Sequence, residues 1–232
     1  MKGQLIIFEG TCCTGKTTVL HPVCKEFPHV IKYEESIHMT ENPLPPPSNR
    51  MEAIRNDKYY LSIDEQRWGK AIQSTHNGHH VIAERCVIGT LSICYGYHNI
   101  FRSFPQAANF LIESLASGWF AAPSAYIWFK ADAEVIKERL SGKNSRKHLI
   151  GEGWTNPEAL ERQNQFLEHF FSQTQTPVFV VDSNETISRR LEVVSSYIKS
   201  ILEQPKIEHY ESSRLHSEKI ISFIKQSVRH LE

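Results

Sequence analysis

The segment Phe8-Glu9-Gly10-Thr11-Cys12-Cys13-Thr14-Gly15-Lys16-Thr17-Thr18 has the spacing G-x-x-x-x-G-K-[ST]. It directly follows an apolar run, Leu5-Ile6-Ile7-Phe8, of the kind that forms a buried strand. In such a loop successive backbone N–H groups turn inward to make an anion nest, and the helix that follows adds its positive N-terminal end. Lys16 would reach the outer phosphates of a nucleotide, and the Thr17 hydroxyl would ligate Mg²⁺. Residues Gly10, Thr11, Cys12, Cys13, Thr14, Gly15, Lys16, Thr17 and Thr18 are therefore expected to bind a nucleoside triphosphate. ATP is the expected donor, with GTP left open by the loop alone. Cys12 and Cys13 read either as small residues that fit the loop or as a redox-sensitive pair, since a helix N-terminus lowers a thiol pKa. A second chemical signal is Val81-Ile82-Ala83-Glu84-Arg85, an apolar run ending in an acid and then a base. At the carboxyl end of a central strand, the acid can hold Mg²⁺ or its water and the base can clamp a phosphoryl group.

These residues need a sheet to position them. Besides Leu5–Phe8, short apolar runs occur at Val30–Tyr33, His80–Ala83, Ala125–Phe129 and Val178–Val181, separated by helix-period stretches. That alternation predicts βα units and an α/β fold, a roughly five-stranded parallel sheet with helices on both faces. Pro157 predicts a helix start, with the helix ending near Phe171. Asn42–Asn49 (NPLPPPSN) is expected to be a stiff surface loop near a binding cleft. After about Glu203 the chain becomes a charged, amphipathic stretch with Ile221, Ile224, Val228 and Leu231 on one helical face, read as a helix packed on the parent domain. The domains expected are 1–203 and a C-terminal helical extension, 204–232.

Lys+Arg 26 and Asp+Glu 26 cancel in a chain of 232 residues, so no overall field draws it to a polymeric nucleic acid or an anionic membrane. No apolar run approaches the roughly 20 residues of a membrane helix, and the N-terminal apolar run is too short for a signal peptide. Five cysteines, two of them adjacent, do not look like a disulfide framework and point to a cytoplasmic setting.

Over about residues 1–200 the sequence resembles the thymidylate kinase branch of the P-loop nucleoside and nucleotide kinases. The resemblance rests on the Phe8–Thr17 loop, on Leu61-Ser62-Ile63-Asp64-Glu65-Gln66-Arg67, and on Gly78 through Arg85 followed by Thr90, Ser92, Tyr95 and Tyr97. It continues from Pro123–Phe129 to Glu134 and Arg139. It implies an ATP- and Mg²⁺-dependent kinase acting on a nucleoside monophosphate, and a homodimer. Arg67 and Arg85, with Tyr95 and Tyr97, would hold the acceptor. Glu84 would serve Mg²⁺ and the attacking oxygen, and Arg139 would flank the donor base. The basic segment Ser141–Trp154, containing Lys143, Arg146 and Lys147, looks like a lid (about 141–154), with Arg146 as a catalytic cation.

The sequence also departs from that branch. Cys12 and Cys13 replace the Asp-Gly of its loop, Tyr33-Glu34-Glu35-Ser36 lacks its Arg, and Glu84 stands where it has Asp. A Glu-Arg pair is more typical of deoxynucleoside kinases, in which a Glu after the second strand acts as base toward a sugar hydroxyl. Glu34 or Glu35 could do so here. The acceptor is thus open between a monophosphate and a nucleoside or other small hydroxyl compound. A regulatory NTPase is the rival of another class, and a nucleic-acid kinase is disfavoured by the absence of a basic stripe.

Overall fold

The computed structural model describes residues 3–117, 120–141, 156–204 and 210–231. The sheet consists of β1 (Leu5–Glu9), β2 (Val30–Tyr33), β3 (His80–Glu84), β4 (Ala125–Lys130) and β5 (Val178–Asp182). Its order is β2-β3-β1-β4-β5, with every neighbouring pair parallel. The glycine loop, Glu84 and the end of β2 therefore emerge along one edge of the sheet. In β1, Leu5 and Ile7 enter one core while Ile6 and Phe8 enter the other, the period-two alternation of a strand buried on both faces.

On the face of Ile6 and Phe8 pack α1 (Lys16–Glu26) and α8 (Ile187–Leu202), through Val19, Leu20, Val23, Val194 and Ile198. The other face carries α2 (Arg50–His76), α3 (Val87–Gly96), α4 (His98–Phe101), α5 (Phe104–Ala116), α7 (Pro157–Gln173) and α9 (Tyr210–Arg229), while α6 (Ala133–Ser141) follows β4. α2 starts with a reciprocal cap: Asn49 accepts from the Glu52 amide at 3.0 Å, and the Glu52 carboxylate accepts from Ser48. The proline-rich loop before it is fastened down, the Leu44 amide donating to the Tyr60 hydroxyl at 3.1 Å and the Asn56 amide to the Pro45 carbonyl at 2.8 Å. α7 begins at Pro157, as predicted, with Asn156 capping the Ala159 amide at 3.0 Å.

α9 packs on the parent layer, with Phe223 against Phe166 and Phe170 at ring separations of 4.9 and 5.4 Å. Its buried stripe runs through His216, Ile220, Phe223, Ile224 and Ser227. Of the predicted face, Ile224 lies in that stripe, and Ile221, Val228 and Leu231 flank it, partly buried. Aromatic packing rotated the helix toward Phe223.

Candidate active site

Gly15 ends the loop with φ at 93°, and the space its missing Cβ leaves is filled by the Arg190 guanidinium, so both backbone angle and close approach require glycine. Lys16 is buried, and its ammonium donates to the carbonyls of Gly10 and Thr11 at 3.0 and 2.9 Å. Burial, and then the charge of Arg85, push the Lys16 pKa down, while Glu35, Glu84 and Glu9 oppose the shift. Thr11 and Thr14 are buried, the Thr14 hydroxyl donating to the Thr11 carbonyl at 3.0 Å, whereas Thr18 points to the exposed side of α1.

Cys12 and Cys13 pack against Ala131, Ile136 and Leu160. A hydrogen bond with Cys13, followed by burial, raises the Cys12 thiol pKa well above its ordinary value. The Cys12 thiolate that redox sensing would use is thereby disfavoured.

Two arginines steady the loop from outside. Arg139 donates to the carbonyls of Cys13 and Ser183 at 3.2 and 2.5 Å, and Arg190 to the Thr14 carbonyl at 3.2 Å. Arg190 went unread in the sequence because it lies 176 residues from its partner, in a helix with no motif around it.

Across the cleft Glu84 is fully buried, its Oε1 accepting from the Thr17 hydroxyl at 2.5 Å. Burial first and repulsion from Glu35 second raise its pKa, and its Oε2 has no hydrogen-bond partner among the described residues. The Thr17 hydroxyl and the unspent Glu84 oxygen are hard donors of the kind Mg²⁺ takes, so the residues present fit that ion. Arg85, with φ at 62°, aims its Nε at the Glu35 carboxylate. Burial works against ionisation of Glu35, but Arg85 and then Lys16 hold its pKa well below the usual carboxylate range.

Three sequence expectations need correction. Glu34 shares a side of the strand end with Lys32, two residues away, and pairs with its ammonium at 2.6 Å; Glu35 alone turns into the cleft. Arg67 is buried on α2 with both terminal nitrogens committed, to the carbonyls of Glu34, Glu84 and Arg85 and to Asp64, so its guanidinium holds backbone rather than an acceptor. Tyr95 turns into the core against Phe104 and Phe166, at 5.1 and 5.0 Å, with the Arg162 guanidinium over its ring. Tyr97, also buried, lies within electrostatic reach of Cys12 at the loop. On a helix, residues two apart face different ways, and only one of this pair meets the loop. Arg146, with Lys143 and Lys147, lies outside the described residues.

Solved structures share this fold. A deoxyadenosine kinase from M. mycoides with bound dATP superposes with a TM-score of 0.63 at 15% identity, covering 84% of this chain and 100% of that one. A thymidylate kinase from Candida albicans superposes with a TM-score of 0.62 at 14% identity, covering 86% and 92%. The chain has the P-loop nucleoside and nucleotide kinase fold. No protein-family description and no curated protein matches the sequence. Within the P-loop kinase fold, the glycine loop and the Glu84-Arg85 turn thus face each other across the carboxyl edge of the sheet. Among the described residues, no helix is long and apolar enough to cross a membrane.

Proposed function

We propose that the chain is an ATP-dependent phosphotransferase acting on a small hydroxyl acceptor of the nucleoside class. The observation that carries this reading is the Arg85–Glu35 ion pair, which stands within electrostatic reach of Lys16 at the glycine loop. The acceptor hydroxyl would sit at Glu35, its oxygen attacking the γ-phosphorus as the bond to the β,γ-bridging oxygen breaks. ADP leaves, and the hydroxyl proton passes to Glu35. Transfer of this loose kind needs positioning and charge neutralisation more than strong base, so an acidic Glu35 is adequate. Thr17 and Glu84 would hold Mg²⁺, which supplies charge neutralisation on the phosphates. Gly10–Thr18 with Lys16 would hold the triphosphate, and Arg139 and Arg190 would shape the donor side.

The charges at the acceptor position favour a neutral compound over the monophosphate that the sequence resemblance implies. A phosphate dianion there would meet Arg85 already offset by Glu35, and Arg67 is spent on backbone carbonyls. The test is acceptor-stimulated ADP release over a panel of nucleosides, monophosphates and simple alcohols. Stimulation by nucleosides is expected. Stimulation only by monophosphates would restore the thymidylate kinase-like reading, and hydrolysis indifferent to every acceptor would indicate a regulatory NTPase.

A further inference from the structure

The turn Glu84-Arg85-Cys86 presents both the acid and the arginine of the site, and its middle residue sits in the left-handed region. A non-glycine residue with a long side chain seldom holds that conformation unaided, so the surroundings must impose it. From the α2 side, Arg67 donates to the carbonyls of Glu84 and Arg85 at 2.6 and 2.5 Å, and is itself fixed by Asp64 at 2.8 Å. Asp64 in turn accepts from the Thr90 hydroxyl on α3. From the β1 side, Glu9 accepts from the Cys86 amide at 2.7 Å, and the Arg85 amide donates to the Phe8 carbonyl at 2.7 Å.

Glu9 is fully buried, and its Oε2 has no hydrogen-bond partner among the described residues. A buried carboxylate with a bare oxygen is costly, and such a group calls for an explanation. The space around it is reserved. A Cβ on Gly89 would run into both Glu9 Oε2 and Arg85 Cγ, so the first turn of α3 can carry only glycine there.

We propose that Glu9 is a positioning residue which, opposite Arg67, clamps the Glu84-Arg85-Cys86 turn so that Glu84 meets Thr17 and Arg85 meets Glu35. The proposal rests on the phosphotransferase reading for its kinetic consequence, but the clamp can also be read without activity. Glu9→Gln keeps an oxygen for the Cys86 amide, and Glu9→Leu removes it. Turnover in Glu9→Leu should fall by about 10²-fold, the cost of a roughly ångström-scale misplacement. Binding of an ATP analogue in the glycine loop should change by less than about twofold, a split that general loss of fold does not produce, and Glu9→Gln should recover most of the turnover. Gly89→Ala, whose Cβ would push the Glu9 carboxylate and Arg85 out of place, should lower turnover in the same way. The direct readout is hydrogen exchange of the Cys86 amide, slow in the unmodified chain and in Glu9→Gln and at least about tenfold faster in Glu9→Leu. Equal protection in all three, or turnover in Glu9→Leu within about threefold of the unmodified chain, would overturn the clamp, as would failure of Glu9→Gln to restore protection. An unmodified chain that transfers no phosphoryl group to any acceptor overturns the kinase reading instead, and leaves the exchange measurement to decide the clamp.

Discussion

The Thr17 hydroxyl lies 2.5 Å from a carboxylate oxygen of Glu84, although 67 residues of chain separate them. The sheet order brings the two groups together: β1 and β3 are neighbours with Phe8 in register with Glu84, and on the proposed function this pair would hold the divalent ion. Glu84→Gln keeps a neutral oxygen near Thr17 but removes the charge. Turnover should fall by about 10²-fold or more, with half-maximal activity moving to higher Mg²⁺. An activation curve for Mg²⁺ identical to that of the unmodified chain would remove the metal role from Glu84.

Lys16 is folded onto its own loop, satisfying the carbonyls of Gly10 and Thr11. On the proposed function, phosphates would draw the ammonium away from those carbonyls, since a charge-assisted contact is stronger than a neutral one. Lys16→Ala should cost several orders of magnitude in turnover and weaken binding of an ATP analogue. Activity within about tenfold of the unmodified chain would sink the assignment.

For Glu35 the pH argument has a definite sign. Its pKa in the fold is held at about 2, below the ordinary 4.5, because Arg85 and then Lys16 outweigh the burial that would raise it. The ion pair therefore contributes stability above about 4.5 that is lost as pH falls through that window. Turnover should show no acid limb from Glu35 near neutral pH, and Glu35→Gln should lower it by about 10²-fold, while any limb from Glu84, whose pKa Glu35 raises, moves to lower pH. A limb near pH 6 abolished by Glu35→Gln would overturn this account of the residue.

How much of this was legible in advance follows the range of each interaction. The phosphate loop, the five strands and the Glu84-Arg85 pair are local patterns, and all five strands were predicted to within a residue or two. The acceptor side was harder, because side-chain direction decides it. Glu34 and Glu35 are adjacent, and only the pleat of the strand end separates a solvent-facing pair with Lys32 from the partner of Arg85. Arg67 looked like a free cation until the carbonyls of two distant turns were seen around it. Glu9 was printed inside the motif, but nothing local shows that its partner is the Cys86 amide, 77 residues on.

Asp57 offers a stability test away from the catalytic groups. Burial raises its pKa to about 6 from 3.8, against the opposing hydrogen bonds from Ser103 and Cys94. Between those two values the folded chain holds more protons than the unfolded one, so stability should fall as pH rises through that window. Asp57→Asn should stabilise the chain at neutral pH by about 1–2 kcal/mol and make little difference below about pH 4. Urea unfolding of both chains at the two pH values measures this, and a stability difference between Asp57→Asn and the unmodified chain that is the same at both would contradict it.

The C-terminal helix carries the opposite case. His216 stacks on Phe120, with ring centroids 5.6 Å apart and planes at 14°, and the next residue, Ser217, donates to the Phe120 carbonyl at 3.3 Å. Burial, and then the nearby Lys219, lower the His216 pKa to about 4 from 6.5. The imidazole is thus neutral in the fold. Its contribution is fully present above about 6.5 and is lost as pH falls toward about 4, amounting to at most about 3 kcal/mol. α9 joins the molecule through one face, around Ile220, Phe223 and Ile224, whereas β1 lies at the centre of the sheet. The loss should therefore appear first as local detachment rather than global unfolding. Hydrogen exchange, corrected for intrinsic rates, should show α9 amides losing protection between those pH values while β1 amides keep theirs, and His216→Phe should abolish the difference. Protection of α9 that is the same at both ends of the window would mean that the imidazole does not govern the docking of this helix.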